Sequence, residues 1–194
     1  MENNLSIVKD KFKELPNNVE AEQSVIGSIL VTNEIFDEIS TIISSTNFFD
    51  PMHQKIFSAI ESLIYKGMLA NPITLKNYFE GEKDDLNVPE YLVKVTKFST
   101  STRQATEYSK IIYDMFVRRE LIKISEHTID TAKINDLNTN GQTIEYSKII
   151  YDMFVRRELI KISEQTIDNA KINDLDTNGL NIIENSERLL FDLA

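Results

Sequence analysis

Apolar residues recur along the chain with the 3.6-residue spacing of helices. Val25, Ile26, Ile29 and Leu30 share one such face. Asn17 or Asn18 ahead of them can accept a free backbone N–H as an N-cap. Gly27 lies inside this helix at a cost of about 1 kcal/mol relative to alanine. Its presence argues for a second helix packed closely there. Ile35, Phe36, Ile39, Ile42 and Ile43 predict a short second helix with Asn33 as its cap. Asp50-Pro51 opens a third, because Asp accepts orphan N–H groups and Pro loses nothing at the first helical position. Ile56, Phe57, Ile60, Leu63 and Ile64 form its buried stripe, and Gly67 stops it. A short fourth helix is expected from about residue 74 to 80, ending at Gly81. Pro89 opens a fifth with Tyr91, Leu92, Val95 and Phe98 on its inner face.

The pattern then repeats itself. Residues 104–141 recur without a gap as residues 142–179, differing at five positions: Ala105/Thr143, Thr106/Ile144, His127/Gln165, Thr131/Asn169 and Asn138/Asp176. Solenoid repeats share a pattern but diverge in detail, and they need three or more copies. Two near-identical copies read instead as a tandem duplication. Each copy predicts a long helix and a turn. In the first, Tyr108, Ile111, Ile112, Met115, Ile122 and Ile129 lie on one side, and Tyr113, Val117, Leu121 and Ile124 on the other. A helix with two apolar stripes is covered on both. The second stripe, repeated as Tyr151, Val155, Leu159 and Ile162, is the candidate oligomer interface. Asn and Gly at 138–141 and again at 178–179 signal turns. The region is therefore expected to fold as successive antiparallel helices, about 104–135, 142–173 and 180–193.

Composition narrows the picture. The chain has 194 residues, five glycines and four prolines, too few for the turns of a sandwich or barrel, so the expected class is all-α. Three regions follow: a polar, mobile arm over 1–16, a helical head over 17–103, and a helical hairpin region over 104–194, extended by the repeat and closed by a final helix at 180–194. The net charge of −10 disfavours direct nucleic-acid binding, which depends on cations that neutralise phosphate. Without cysteine, disulfides, thiolate metal sites and cysteine nucleophiles are excluded. No window approaches a membrane span, and residues 1–10 lack a signal peptide's apolar stretch. A cytoplasmic protein is expected.

Catalytic patterns are missing. The sequence contains no G-x-x-x-x-G-K-[ST], no G-x-G-x-x-G, no G-x-S-x-G and no H-E-x-x-H. His53, just after the capping Asp50, reads as a first-turn structural or surface residue. His127 is Gln165 in the second copy, which argues against an essential proton-transfer role. Asp84-Asp85 reads as solvated charge. Arg118-Arg119 and Arg156-Arg157 read as helix-surface salt-bridging pairs, with partner recognition as the alternative.

The segments LPNNVEAEQSVIGSIL, NFFDPMHQKIFSAIESLIYKG, PITL, YLVKV and ATEYSKIIYDMFVRRELIKIS, in this order, resemble the N-terminal domain of the bacterial replicative DNA helicase of the DnaB type. NIIENSERLLFDLA resembles the last helix of that domain. The resemblance implies a helical head and a hairpin that pairs subunits, and a collar where primase docks and helicase loaders act. ATP, Mg²⁺ and the motor belong to a separate C-terminal domain, before which this sequence stops, so no cofactor and no enzymatic activity are expected. Partners implied are further copies, the full-length helicase, primase and a helicase loader, with no membrane. Primase contacts carried over from the family fall on Tyr91, Arg119 and Ile122, with Arg157 and Ile160 as the repeated positions. A truncated or decayed helicase gene product is the alternative expectation.

Overall fold

The computed structural model describes residues 15–76, 78–79, 88–133, 146–172 and 178–193, with backbone alone for Lys133 and residues 146–150. Residues 1–14 of the arm expected over 1–16, the fourth helix's end at Gly81, Asp84-Asp85, and the turn segments 135–141 and 173–177 lie outside these residues. Among the described residues every regular element is helical: α1 (Val19–Val31), α2 (Phe36–Ile39), α3 (Pro51–Tyr65), α4 (Pro72–Lys76), α5 (Val88–Thr96), α6 (Thr102–Lys133), α7 (Tyr146–Lys171) and α8 (Gly179–Leu193). Two compact units result. Residues 17–116 form a head, and residues from 117 onward, with Pro16, form the second unit.

In the head, Asn18 Oδ1 accepts the Ala21 N–H at 3.0 Å and starts α1. Its face of Val25, Ile26 and Ile29 is fully buried, and α1 packs on α3 and α5. The Gly27 expectation has its reason here: a Cβ at that position would run into the Val95 carbonyl oxygen at the end of α5. Asp50 Oδ1 accepts the Met52 N–H at 2.7 Å and caps α3, with Pro51 at its first position. At its other end, Gly67 takes φ 72°, and Gly67 N–H and Met68 N–H donate back to the Ile64 and Leu63 carbonyls. Those two bonds satisfy carbonyls that the helix end orphans. Ile56, Phe57, Ile60 and Leu63 are buried between these elements, where each fully buried side chain contributes roughly 1.5–3 kcal/mol.

Two local expectations are corrected. Asn33 does not cap the second helix by its side chain. Instead its amide donates to the Ile29 and Ala70 carbonyls, and its Oδ1 accepts the Ala70 N–H at 2.8 Å. It ties the end of α1 to the segment before α4, and the second helix shrinks to a 3-10 turn plus α2. Phe98 lies beyond the end of α5 and is exposed.

The head core also takes in Ala105, Ser109 and Ile112 from the start of α6. The opening turns of the first copy are therefore part of the head itself.

In the second unit, the copies end and restart as separate helices, α6 to Lys133 and α7 from Tyr146. Arg118 donates to the Ala170 and Ile172 carbonyls at the C-terminal end of α7, and Arg156 donates to the Ala132 carbonyl near the end of α6. The start of each segment thus meets the end of the other, and the two helices run antiparallel. Ile122 and Ile129 from α6, Ile167 and Ala170 from α7, and Ile182 from α8 form one apolar cluster, with Leu121 and Ile160 packed against it. Asn178 Oδ1 accepts the Asn181 N–H and starts α8, whose Ser186 hydroxyl bonds Thr166 on α7.

Candidate functional site

The head contains a buried polar chain assembled from three helices. Glu22 on α1 and His53 on α3 are both buried, and His53 Nδ1 lies 2.7 Å from Glu22 Oε2. His53 Nε2 lies 2.6 Å from the hydroxyl of Tyr91 on α5, and Gln23 Nε2 donates to that hydroxyl at 3.1 Å. The loop before α3 completes it: Phe49 N–H and Asp50 N–H donate to Glu22 at 2.5 and 3.3 Å. One assignment satisfies every atom with a neutral imidazole. Gln23 donates to Tyr91, Tyr91 donates to His53 Nε2, and His53 Nδ1–H donates to the Glu22 carboxylate. Phe48 sets its ring edge to His53, while Tyr91 stacks on it at 5.9 Å between centroids.

The chain of groups ends in a buried carboxylate held by backbone N–H groups and in a glutamine amide. Burial pushes the Tyr91 hydroxyl above its ordinary value of 10, with the nearby Asp50 and Glu22 charges adding to the effect and the Gln23 hydrogen bond opposing it. The arrangement holds α1, α3 and α5 in register. A small cleft lined by Asp50, Met52, Val88 and Tyr91 opens beside it. Among the described residues there is no cluster of three or more His, Cys, Asp or Glu side chains that could hold a metal ion. Nor is any helix long and apolar enough to cross a membrane.

His53 is structural, as its place after Asp50 suggested, but it is a core residue and not a surface one. The sequence reading missed Glu22 and Gln23 as its partners. The signal available was an acid on the otherwise apolar side of α1, beside Ala21 and Val25.

The sequence-predicted residues divide between the two units. Tyr91 is half-buried in the head, with its hydroxyl committed to Gln23 and His53. The others named for partner contacts lie in the second unit. Arg119 donates to the Pro16 carbonyl at 2.8 Å. Ile122 is buried in the helix-pair cluster, Ile160 packs against it, and Arg157 is exposed. Of the apolar stripe, Tyr113, Ile124 and Tyr151 are exposed, Val117, Val155 and Leu159 are half-buried, Leu121 packs on the cluster, and Ile162 is buried. Met153 and Phe154, beside Tyr151 on α7, are exposed as well.

Comparison with known proteins points one way. A sequence model described as the DnaB-like helicase N terminal domain matches residues 14–114. The chain is 40% identical to the replicative DNA helicase DnaB of Rickettsia felis over 120 residues, 61% of this chain and 24% of that protein. It is 36% identical over 131 residues to the corresponding protein of Buchnera aphidicola, 66% of this chain and 28% of that one. The chain thus spans about a quarter of the length of the curated relatives it matches. The fold is similar to the crystal structure of the N-terminal domain of DnaB helicase from Mycobacterium tuberculosis, with a TM-score of 0.60 at 18% identity, covering 76% of this chain and 99% of that one.

Proposed function

The chain belongs to the DnaB-like helicase N terminal domain family, and on that premise we propose that it serves bacterial DNA replication as a non-catalytic association and docking module. Its partners are the full-length replicative helicase or further copies of itself, primase, and a helicase loader, met in the cytoplasm. It neither binds nor hydrolyses ATP, needs no Mg²⁺, and does not hold DNA unaided.

The observation that carries this reading is the kind of order the head displays. Its polar groups are turned inward and bonded to one another, so they stiffen a scaffold and offer no reacting atom. Apolar side chains face outward on α7 instead, at Tyr151, Met153 and Phe154. Outward aromatic and methionine side chains are what protein interfaces enrich. Arg157 beside them, Tyr91 at the head cleft and the exposed Tyr113 and Ile124 are the further residues offered to partners.

Two measurements test the proposal. Light scattering on the purified chain, with and without primase or full-length helicase, should give a complex, and a Tyr151→Ser/Phe154→Ser double variant should weaken it at least tenfold. An ATPase assay on the same sample should stay at background. ATP turnover, or no complex with either partner, would overturn the reading.

A further inference from the structure

The longest acid-free run in the chain is residues 62–79, which carry Lys66 and Lys76 while all 31 Asp and Glu lie elsewhere. Its two ends meet on the head, where the Ser62 hydroxyl lies 3.4 Å from that of Tyr78. Lys66 Nζ donates to the same Tyr78 hydroxyl at 3.1 Å and sits over the Tyr78 ring, 5.6 Å from its centroid. The Ser62 and Lys66 bonds hold the Tyr78 pKa below its ordinary 10. With both donated to its oxygen, the Tyr78 O–H is left to donate outward. Tyr78 and Phe79 enclose with α3 an open groove of about 520 Å³, and Lys55, Ser58, Ala59 and Ser62 line its α3 side. At about 100° per residue, Lys55, Ala59, Ser62 and Lys66 share one face of α3, and Glu61 falls about 100° round from Ser62. Among the described residues no carboxylate lines the groove.

We propose that this groove docks an acidic segment of a partner protein, with one carboxylate on Lys66 and the Tyr78 hydroxyl and a second beside Lys55. Each polar group lining the groove can donate, Lys55 and Lys66 carry positive charge, and a carboxylate is the matching acceptor. The chain as a whole carries −10. Its field therefore repels an acidic partner over most of the surface and admits it here, which is how charge sets orientation.

The dimensions fix the spacing of the two acids. From Lys55 to Lys66 the helix rises roughly 16 Å at ~1.5 Å per residue. An extended peptide covers roughly the same length in five residues at ~3.3 Å each. Between the lysines the lining turns apolar at Ala59 and Phe79, so the middle of the segment carries an apolar side chain. The inference goes beyond the proposed function and can fail without it. None of the residues offered to primase or helicase there lies in this groove.

Fluorescence anisotropy on the full chain tests it with two peptides carrying the same dye, Glu-Ala-Leu-Leu-Ala-Glu and Gln-Ala-Leu-Leu-Ala-Gln. The acidic peptide should bind at least about fivefold tighter than its amide counterpart, and salt should narrow the difference because it screens exposed charge. Lys66→Glu should weaken the acidic peptide at least about tenfold, and Tyr78→Phe about threefold, through the lost charge and the lost donor respectively. Both side chains are exposed, so circular dichroism and Tm should stay at parent values. Lys110→Glu, exposed on α6 and outside the groove, should leave the affinity unchanged. No binding, equal affinity for the two peptides, or an equal loss in Lys110→Glu would overturn the proposal. So would cosedimentation with phosphatidylglycerol vesicles that Lys66→Glu abolishes while neither peptide binds, since the occupant would then be a lipid surface.

Discussion

Replacing Glu22 by glutamine keeps the shape of the side chain and removes its charge at the point where three N–H groups converge. The carboxylate accepts from Phe49 N–H at 2.5 Å, from Asp50 N–H at 3.3 Å, and from His53 at 2.7 Å. A glutamine oxygen in the place of Oε1 keeps the first. Its NH₂ group then replaces Oε2 and points donors at the donors of Asp50 and His53. Hydrogen bonds to a charged group are worth about 1.5–3 kcal/mol each. The His53 bond is lost outright in a buried site, and the longer Asp50 bond is lost with it, so Glu22→Gln should cost about 3 kcal/mol. In a domain of this size ~1 kcal/mol lowers Tm by ~4–8 °C, so a fall of roughly 12 °C or more is expected for the head. Thermal unfolding by circular dichroism measures the total, and amide hydrogen exchange at Phe49 and Asp50 locates it. Rescue has one route. His53 would take its other tautomer, Tyr91 would turn its proton toward Gln23, and Gln23 would flip to receive it. A loss under about 1 kcal/mol with those two amides still protected would refute the reasoning that the His53 and Asp50 bonds need a carboxylate at this position.

The other expectations can be stated briefly. Gly27→Ala should destabilise the head by about 1–2 kcal/mol in urea titration, because the new methyl meets the Val95 carbonyl and overpacking outweighs the helix propensity gained. Arg118→Ala should cost about 2 kcal/mol and Arg156→Ala less than about 1, since Arg118 is buried at its carbonyl partners while Arg156 is partly exposed and shares its charge with Asp152. Tyr91 has its folded-state pKa raised by burial, so its contribution to stability is complete below pH ~10 and is lost as pH rises through the folded value. The alkaline limb of the stability profile should therefore be shallower in Tyr91→Phe than in the parent.

Helix boundaries were legible where the chemistry is local. Asn18, Asp50-Pro51 and Gly67 each act within a few residues of where they stand, and each does what its type predicts. Asn33 shows where locality ends: the same side chain suits a cap, but the Ala70 peptide, 37 positions away, takes both of its polar atoms. Glu22, His53 and Tyr91 are 31 and 38 positions apart and become neighbours only when α1, α3 and α5 pack. No periodicity along the chain encodes that meeting. The repeat announced two like helices, and its turn residues their antiparallel run. That Arg118 and Arg156 would serve as each other's counterparts, and not as surface ion pairs alone, depends on the crossing register of the two helices, which spacing does not carry.

The same reciprocity bears on how such a sequence can drift. Arg118, Leu121, Ile122, Ser125, Ile129 and Ala132 are matched letter for letter by Arg156, Leu159, Ile160, Ser163, Ile167 and Ala170. Of the five positions that differ, His127/Gln165 is exposed in both copies and Thr131 in the first, whereas Ala105 and Thr106 engage the head, Ala105 in its core and Thr106 through Glu38. A change at a pairing position alters the fit at one end of the seam while its counterpart at the other end keeps the old one. The two halves would thus have to evolve in step along the seam, each acting as the template against which the other is tested, while being free to specialise where only one of them has a head to hold.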